Sequence, residues 1–144
     1  GSKGRISEVY DDLINKLWLE YYDEISPKNF RIEFCKLKNA FANNEQQDSQ
    51  EFLAALLDSL HEDLNRITNK NYQELHEQKE GEDDETASQR WWSYHKSRED
   101  SIIVDLFQGQ YKSSVKCLSC GYKSTSYETY MYLGLPIPQK STQI

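Results

Sequence analysis

The chain has 144 residues, 17 of them basic and 24 acidic, for a formal net charge of -7. Residues 74–85 alone hold seven carboxylates against one lysine, a local balance of -6, so the remainder is close to neutral. That excludes the basic stripe nucleic-acid binding relies on, and no apolar run is long enough to cross a bilayer. One compact unit with a core able to fold alone is the default at this length. The polar end from Gln139 to Ile144 offers no closing element, so the sequence reads as a part of something larger. Cys35 stands alone and Cys117 pairs with Cys120 in a CxxC. That sparse, odd set argues against a secreted disulfide scaffold and for a reducing intracellular compartment, cytoplasmic or nuclear.

In chain order, Ile6, Val9, Tyr10, Leu13, Ile14, Leu17 and Trp18 recur at spacings of three and four, which predicts an amphipathic helix beginning at Ser7. Tyr21-Tyr22 then leads into a loop. Ser26-Pro27 marks a helix start, serine capping and proline in the first turn, with Phe30, Phe34 and Leu37 as its buried face. Cys35 beside that face reads as a small buried hydrophobe. Phe41 is expected to anchor the connection to the next helix.

That helix, at about 45–65, organises the chain. Phe52, Leu56, Leu60 and Leu64 form one ridge and Leu53 and Leu57 the next, with no glycine, proline or β-branched residue from Asn44 to Arg66. Glutamines and carboxylates crowd its head, where unpaired amides favour negative charge. Capping and surface charge are the plain account of these groups. Tyr72, Leu75 and His76 are read as a prolongation of the helix, and Glu77 to Ser88 as an exposed, solvated loop. Arg90 to Arg98, with Trp91-Trp92 and Tyr94, predicts a short helix, and His95 is an ordinary packing or surface histidine.

From Ser101 the texture turns towards β. Ile102-Ile103-Val104 is β-branched, and Gly109 punctuates. Tyr111, Ser113 and Val115 alternate with Lys112, Ser114 and Lys116 as a half-buried strand. A second alternating stretch runs from Lys123 to Leu135, with Tyr127, Thr129, Met131, Leu133 and Leu135 on one side. The fold class is therefore α+β. A ribbon with an unpaired edge invites exchange between copies, so self-association is expected.

Cys117 and Cys120 lie in the turn of that ribbon, ahead of Gly121. Two thiolates at this spacing are half of a four-ligand zinc site, the other ligands lying elsewhere. A knuckle that has lost its metal and a redox dithiol are the rival readings; the absence of a βαβ context counts against the second. No pairing of a nucleophile with a base and its orienter is visible, no phosphate-cradling glycine loop and no HExxH. On residues alone the chain is a binding module or a severed piece of an enzyme.

Two blocks then carry a likeness. Gln46-Gln47-Asp48-Ser49-Gln50-Glu51-Phe52-Leu53 with Leu56-Leu57-Asp58-Ser59-Leu60-His61-Glu62-Asp63-Leu64-Asn65 is one. Ser101-Ile102-Ile103-Val104-Asp105-Leu106-Phe107-Gln108-Gly109-Gln110, Lys116-Cys117-Leu118-Ser119-Cys120 and Tyr130-Met131-Tyr132-Leu133-Gly134-Leu135-Pro136 make the other. In this order they resemble the ubiquitin-specific protease family, thiol proteases that hydrolyse bonds at the C-terminal glycine of ubiquitin. The resemblance implies part of a papain-like right-hand fold. Residues 6–100 would be a helical thumb with an acidic insertion at about 73–88, and residues 101–144 the first strands of palm and fingers.

It further implies that Asp48 and Glu51 contact the basic tail of ubiquitin, with Gln47, Tyr130 and Tyr132 as weaker candidates. Cys117 and Cys120 would be the first pair of a Zn2+ site completed outside this chain. Partners would be ubiquitin, polyubiquitin and ubiquitinated proteins. The family's catalytic cysteine and histidine boxes have no counterpart in this sequence, so the chain alone is expected to be inactive. The alternatives are a non-catalytic ubiquitin-binding or scaffolding relative with a zinc ribbon, and a free-standing zinc-ribbon protein.

Overall fold

The computed structural model describes residues 2–19, 24–70, 72, 74, 75, 77–79 and 81–137. The features read at Tyr21-Tyr22, at His76 and beyond Ile137 lie outside them. Helices α1 (Arg5–Trp18), α2 (Lys28–Leu37), α3 (Ser49–Leu64), α4 (Asp84–Lys96) and α5 (Ile102–Phe107) precede strands β1 (Gly109–Lys116) and β2 (Lys123–Tyr130). Helices with one small antiparallel sheet agree with the mixed class expected. The chain divides into two compact units, residues 1–70 with 99–106, and residues 71–98 with 107–144.

In the first unit α1 buries Ile6 and Val9 and begins two residues before the expected Ser7. Gly4, at φ 89°, occupies its cap position and offers no side chain. The cap comes instead from α3. Asp63 Oδ2 accepts from the amides of Ile6 at 2.9 Å and Ser7 at 3.3 Å and from the Ser2 hydroxyl. A carboxylate on exposed helix-start amides gains both hydrogen bonds and favourable charge. Burial pushes the Asp63 carboxyl up, its Oδ1 having no partner among the described residues. The bonds from Ser2 and the amides of Gly4, Ser7 and Ile6 outweigh that, and the net effect holds it below the usual range.

Helix α2 starts one residue later than expected. Pro27 takes the cap position, its carbonyl accepting from the Arg31 amide at 2.9 Å, and no side chain caps the helix. Phe30 and Phe34 are buried as expected, whereas Leu37 stays exposed. Phe34 is the centre of an aromatic cluster. Its ring centroid lies 5.6 Å from Phe30, 5.6 Å from Phe41 and 5.2 Å from Phe52, and Phe41 and Phe52 meet edge-on at 5.8 Å. The 3₁₀ turn Asn39–Phe41 thus anchors the connection to α3.

Helix α3 begins at Ser49, four residues later than predicted, because Asp48 caps it and residues 45–47 stay outside the helix. Leu56, Leu57 and Leu60 are buried, but Leu53 is 51% exposed, so the inward stripe is narrower than its sequence suggested. The helix stops at Leu64 rather than continuing towards Tyr72. Asn65 Oδ1 accepts from the amides of Ile67 (3.0 Å) and Asp100 (3.1 Å), which turns the chain away. Glu99 then binds the end of α3: it meets His61 Nε2 at 2.7 Å, Asn65 Nδ2 at 2.9 Å and Lys70 Nζ at 2.7 Å.

The β-branched run is helical, contrary to the β texture read from Ser101 on. Ser101, fully buried, faces His61 Nδ1 at 2.8 Å and accepts from the Val104 amide at 3.3 Å, which starts α5. Burial of Ile103 and Val104 overrides their strand preference.

In the second unit β1 and β2 pair in register from Gly109↔Tyr130 to Lys116↔Lys123. Strand β2 stops at Tyr130, short of the expected Leu135. The half-buried face expected on β1 is not formed: Tyr111 and Val115 are exposed, and so are Lys112 and Ser114, which stand opposite the buried Tyr127 and Thr125 of β2. That face meets α4, which starts inside the stretch read as loop, with Asp83 accepting from the Thr86 amide at 2.8 Å. Asp84 takes Lys112 Nζ at 2.5 Å and the Tyr127 hydroxyl at 3.1 Å, and Gln78 donates its amide to the Thr125 carbonyl at 3.1 Å. Glu82 pairs with Arg90 at 3.0 Å and Glu77 accepts from the Tyr122 hydroxyl at 3.0 Å. The acidic run is therefore a clasp across the ribbon, not only a solvated face.

Two outcomes follow. Asp63→Ala should cost about 1–2 kcal/mol, the range for losing a good helix cap, read by chemical denaturation. Because the folded Asp63 is held low, its contribution is complete above the ordinary carboxylate range, falls away below it and is lost as pH drops through the folded value. Lys112, followed by Gln78, holds Asp84 down to about 2. The clasp should accordingly persist from neutral pH to well below 4 and open only as pH approaches 2. Lys112→Ala, or high salt, should speed amide exchange at Gln78 several-fold while leaving α1–α3 protection unchanged.

Candidate functional site

Two constellations stand out, one in each unit. The first is the head of α3. Asp48 Oδ1 accepts from the amides of Gln50 at 2.8 Å and Glu51 at 2.9 Å. Its other oxygen bonds to nothing among the described residues. A glutamate three residues after the cap usually reaches back to close a capping box. Glu51 does not; it is exposed, and its carboxylate has no partner among the described residues. Gln47 donates to Asn43 Oδ1 at 2.8 Å, and Arg31 donates to the Asn43 carbonyl at 3.2 Å and to Asn44 Oδ1 at 2.9 Å. These bonds shape the loop that delivers Gln47 and Asp48 to the lip of a groove of about 700 Å³. Tyr10, Phe30, Phe34, Phe52 and Leu56 are on its apolar wall. Glu51 does not line the groove. The head thus offers two exposed carboxylates one turn apart, suited to a cationic side chain.

The second is the thiol turn. Gly121, at φ 75°, lets the chain reverse; its amide donates to the Cys117 carbonyl at 3.0 Å, and the Cys117 amide to the Tyr122 carbonyl at 2.8 Å. Both thiols are exposed. The Cys120 amide, then the Cys120 side chain and the Ser119 amide, hold the Cys117 thiol below its ordinary value. Two sulfurs on one turn with amides aimed at one of them fit a thiophilic cation such as zinc. No third ligand accompanies them among the described residues: the one cluster of three potential ligands there is His61, Glu62 and Glu99. Lys70 lies within 2.7 Å of Glu99 and 3.9 Å of Glu62, so an ammonium already fills that cluster's cationic role.

Cys35 is half-buried and donates to the Phe41 carbonyl at 3.1 Å, not to an imidazole. His61 has both ring nitrogens engaged, and His95 Nε2 meets Gln108 Oε1 at 2.5 Å. Neither histidine addresses a cysteine. The buried His61–Ser101 pair escaped sequence reading. Its partners are 40 residues apart, and only the apolar positions around His61 on its helix hinted that it faces inward. Tyr130 packs against Tyr111 at 5.8 Å, and Tyr132 is exposed. No helix of the described residues is long and apolar enough to cross a membrane.

The model of the ubiquitin carboxyl-terminal hydrolase family matches residues 2–140. The chain is 42% identical over 143 residues to the putative ubiquitin carboxyl-terminal hydrolase 11 of Arabidopsis thaliana, covering 99% of this chain and 16% of that protein. It is 40% identical over 144 residues to ubiquitin carboxyl-terminal hydrolase 4 of Bos taurus, covering 100% and 15%. Against ubiquitin carboxyl-terminal hydrolase 15 of Bos taurus the identity is 40% over 140 residues, covering 97% and 15%. The chain thus spans about one-sixth of the length of these relatives. With a family match along nearly all of its residues, this chain belongs to the ubiquitin carboxyl-terminal hydrolase family.

Proposed function

We propose that this chain is the middle segment of a deubiquitinating thiol protease with a papain-like right-hand domain, and that α3 presents its head to the basic C-terminal tail of ubiquitin. The observation that carries this reading is the spare valence at that head. Asp48 spends one oxygen on the cap, and Glu51 spends none. Capping alone explains half of one carboxylate and nothing of the other. Charge-assisted bonds from arginine to exposed carboxylates are short and directional, and they steer association. Gln47, fixed by Asn43, would serve as a neutral donor beside them. Residues 6–100 would form the thumb and residues 101–144 the opening of palm and fingers. Cys117 and Cys120 would hold one side of a zinc ion, which supplies a rigid crosslink when bound. The remaining ligands, the nucleophile and its base would come from the rest of a longer protein.

The test separates cap from contact. Serine caps a helix about as well as aspartate but carries no charge. In the full catalytic domain, Asp48→Ser and Glu51→Gln should each lower kcat/KM on a ubiquitin C-terminal reporter by roughly tenfold, as loss of one such contact would. Thermal stability should not change, and the effect should shrink at high salt. Unaltered kinetics in both variants would leave the head of α3 as a cap and a surface charge. The 144-residue chain itself should release nothing from the same reporter.

A further inference from the structure

We propose that His61, Glu62 and Glu99 form a metal site separate from the thiol turn, one that takes a zinc-like divalent transition-metal ion in competition with the Lys70 ammonium. All four residues belong to the first unit. His61 and Glu62 stand on the last turn of α3, and Glu99 on the segment that leads into α5. One ligand atom from each of the three lies within 4.8 Å of the other two. A cation is already seated among them: Lys70 Nζ is 2.7 Å from Glu99 Oε1 and 3.9 Å from Glu62 Oε1. The cluster thus selects positive charge. It also holds a nitrogen donor that the ammonium does not engage, His61 Nε2, which faces Glu99 Oε2 at 2.7 Å.

The surroundings have the anatomy of a metal site rather than of a bare acidic cluster. A ligating imidazole is normally fixed through its other nitrogen. Here His61 Nδ1 meets the buried Ser101 hydroxyl at 2.8 Å, and Ser101 Oγ is itself held by the Val104 amide at 3.3 Å. With a metal on Nε2, the ring carries its proton on Nδ1 and donates it to Ser101 Oγ. The carboxylate is steadied in the same way, Glu99 Oε2 accepting from Asn65 Nδ2 at 2.9 Å. Ligand atoms bound about 2.0–2.2 Å from one ion lie roughly 3–3.5 Å apart. Glu62, exposed and meeting Lys70 as its partner among the described residues, has to swing inward to reach that spacing. Lys70, its side chain 35% exposed, has solvent to move into as the ion takes its place. One imidazole with two carboxylates suits a zinc-like ion better than magnesium or calcium, which prefer oxygen alone. Three protein ligands leave room for water on the ion. The ion would clip the end of α3 to the approach to α5, where a hydrogen bond from His61 to Glu99 now does so.

The probe is cobalt(II), titrated into the full 144-residue chain, reduced and stripped of metal. Cobalt on the thiols of Cys117 and Cys120 absorbs strongly in the near ultraviolet by sulfur-to-metal charge transfer. Cobalt on nitrogen and oxygen does not, so the two places are told apart in one sample. The expected result is one cobalt equivalent without that absorption, which shifts the His61 ring resonances in the proton NMR spectrum and is displaced by zinc. Lys70→Ala removes the competing ammonium and should tighten this equivalent by roughly tenfold, the worth of one close charge contact. Glu62→Gln, at an exposed position, should weaken it by a similar factor while the helical circular dichroism stays the same. A His61 ring that cobalt leaves unmoved would overturn the site. So would cobalt that binds only with the sulfur absorption. Equal affinity in the wild type, Lys70→Ala and Glu62→Gln would leave the cluster as an ion-pair network and overturn it too.

Discussion

The packing of Phe34 is the constraint on which the first unit depends. One buried ring touches Phe30 on its own helix, Phe41 in the 3₁₀ turn and Phe52 in the second turn of α3. Such aromatic contacts add about 0.5–1.5 kcal/mol each beyond the area they bury. Their larger effect is positional. By fixing Phe41 and Phe52 from one side, Phe34 sets where the connection ends and where α3 begins. Asp48, four residues before Phe52, is thereby placed at a defined lip. Asp63 does the same at the other end of α3, where it holds the first amides of α1. The central helix is tied at both ends, once by rings and once by a carboxylate.

How far this was legible depended on whether the signal was local. The three- and four-residue spacings of α1, α2 and α3 gave the helices, and the CxxC with Gly121 gave the ribbon turn. Helix starts were misplaced where the cap is not a local side chain: the Ile6 amide is served by Asp63 from 57 residues away, and Pro27 rather than Ser26 occupies the cap of α2. Ile102-Ile103-Val104 misled for a similar reason. Strand preference there amounts to less than about 1 kcal/mol, whereas a buried Ser101 locked to His61 and capping Val104 fixes the helical start. On β1 the alternation hid the role of Lys112, which is exposed yet stands opposite the buried Tyr127. Its ammonium reaches Asp84 on α4.

The acidic run shows why composition is a weak guide to order. A stretch with a balance of -6 reads as solvated because its charges repel and it has little to bury. That argument treats the counter-charges as distant. Here Lys112 and Arg90 stand across from Asp84 and Glu82, and Asp83 turns the repulsion to use by starting a helix. Exposed pairs of this kind add little individually. Their geometry still decides which face of the ribbon α4 covers, and it leaves Tyr111 and Val115 on the open side.

A carboxylate at a helix start always has a structural explanation available, so the case for a recognition role has to come from what that explanation leaves over. At Asp63 nothing useful is left: one oxygen is saturated and the other is buried. At Asp83 the cap takes both oxygens, through the Thr86 amide and hydroxyl. Asp48 differs, since both of its amide bonds fall on Oδ1 while Oδ2 remains exposed beside an apolar groove. Glu51, one turn on, could have closed the box and does not. The same helix chemistry that leaves no open carboxylate oxygen at Asp63 or Asp83 leaves two carboxylates with open oxygens at one place. That contrast within a single chain is a stronger argument for a binding face than the charge of the segment, because it controls for everything a helix terminus does by itself.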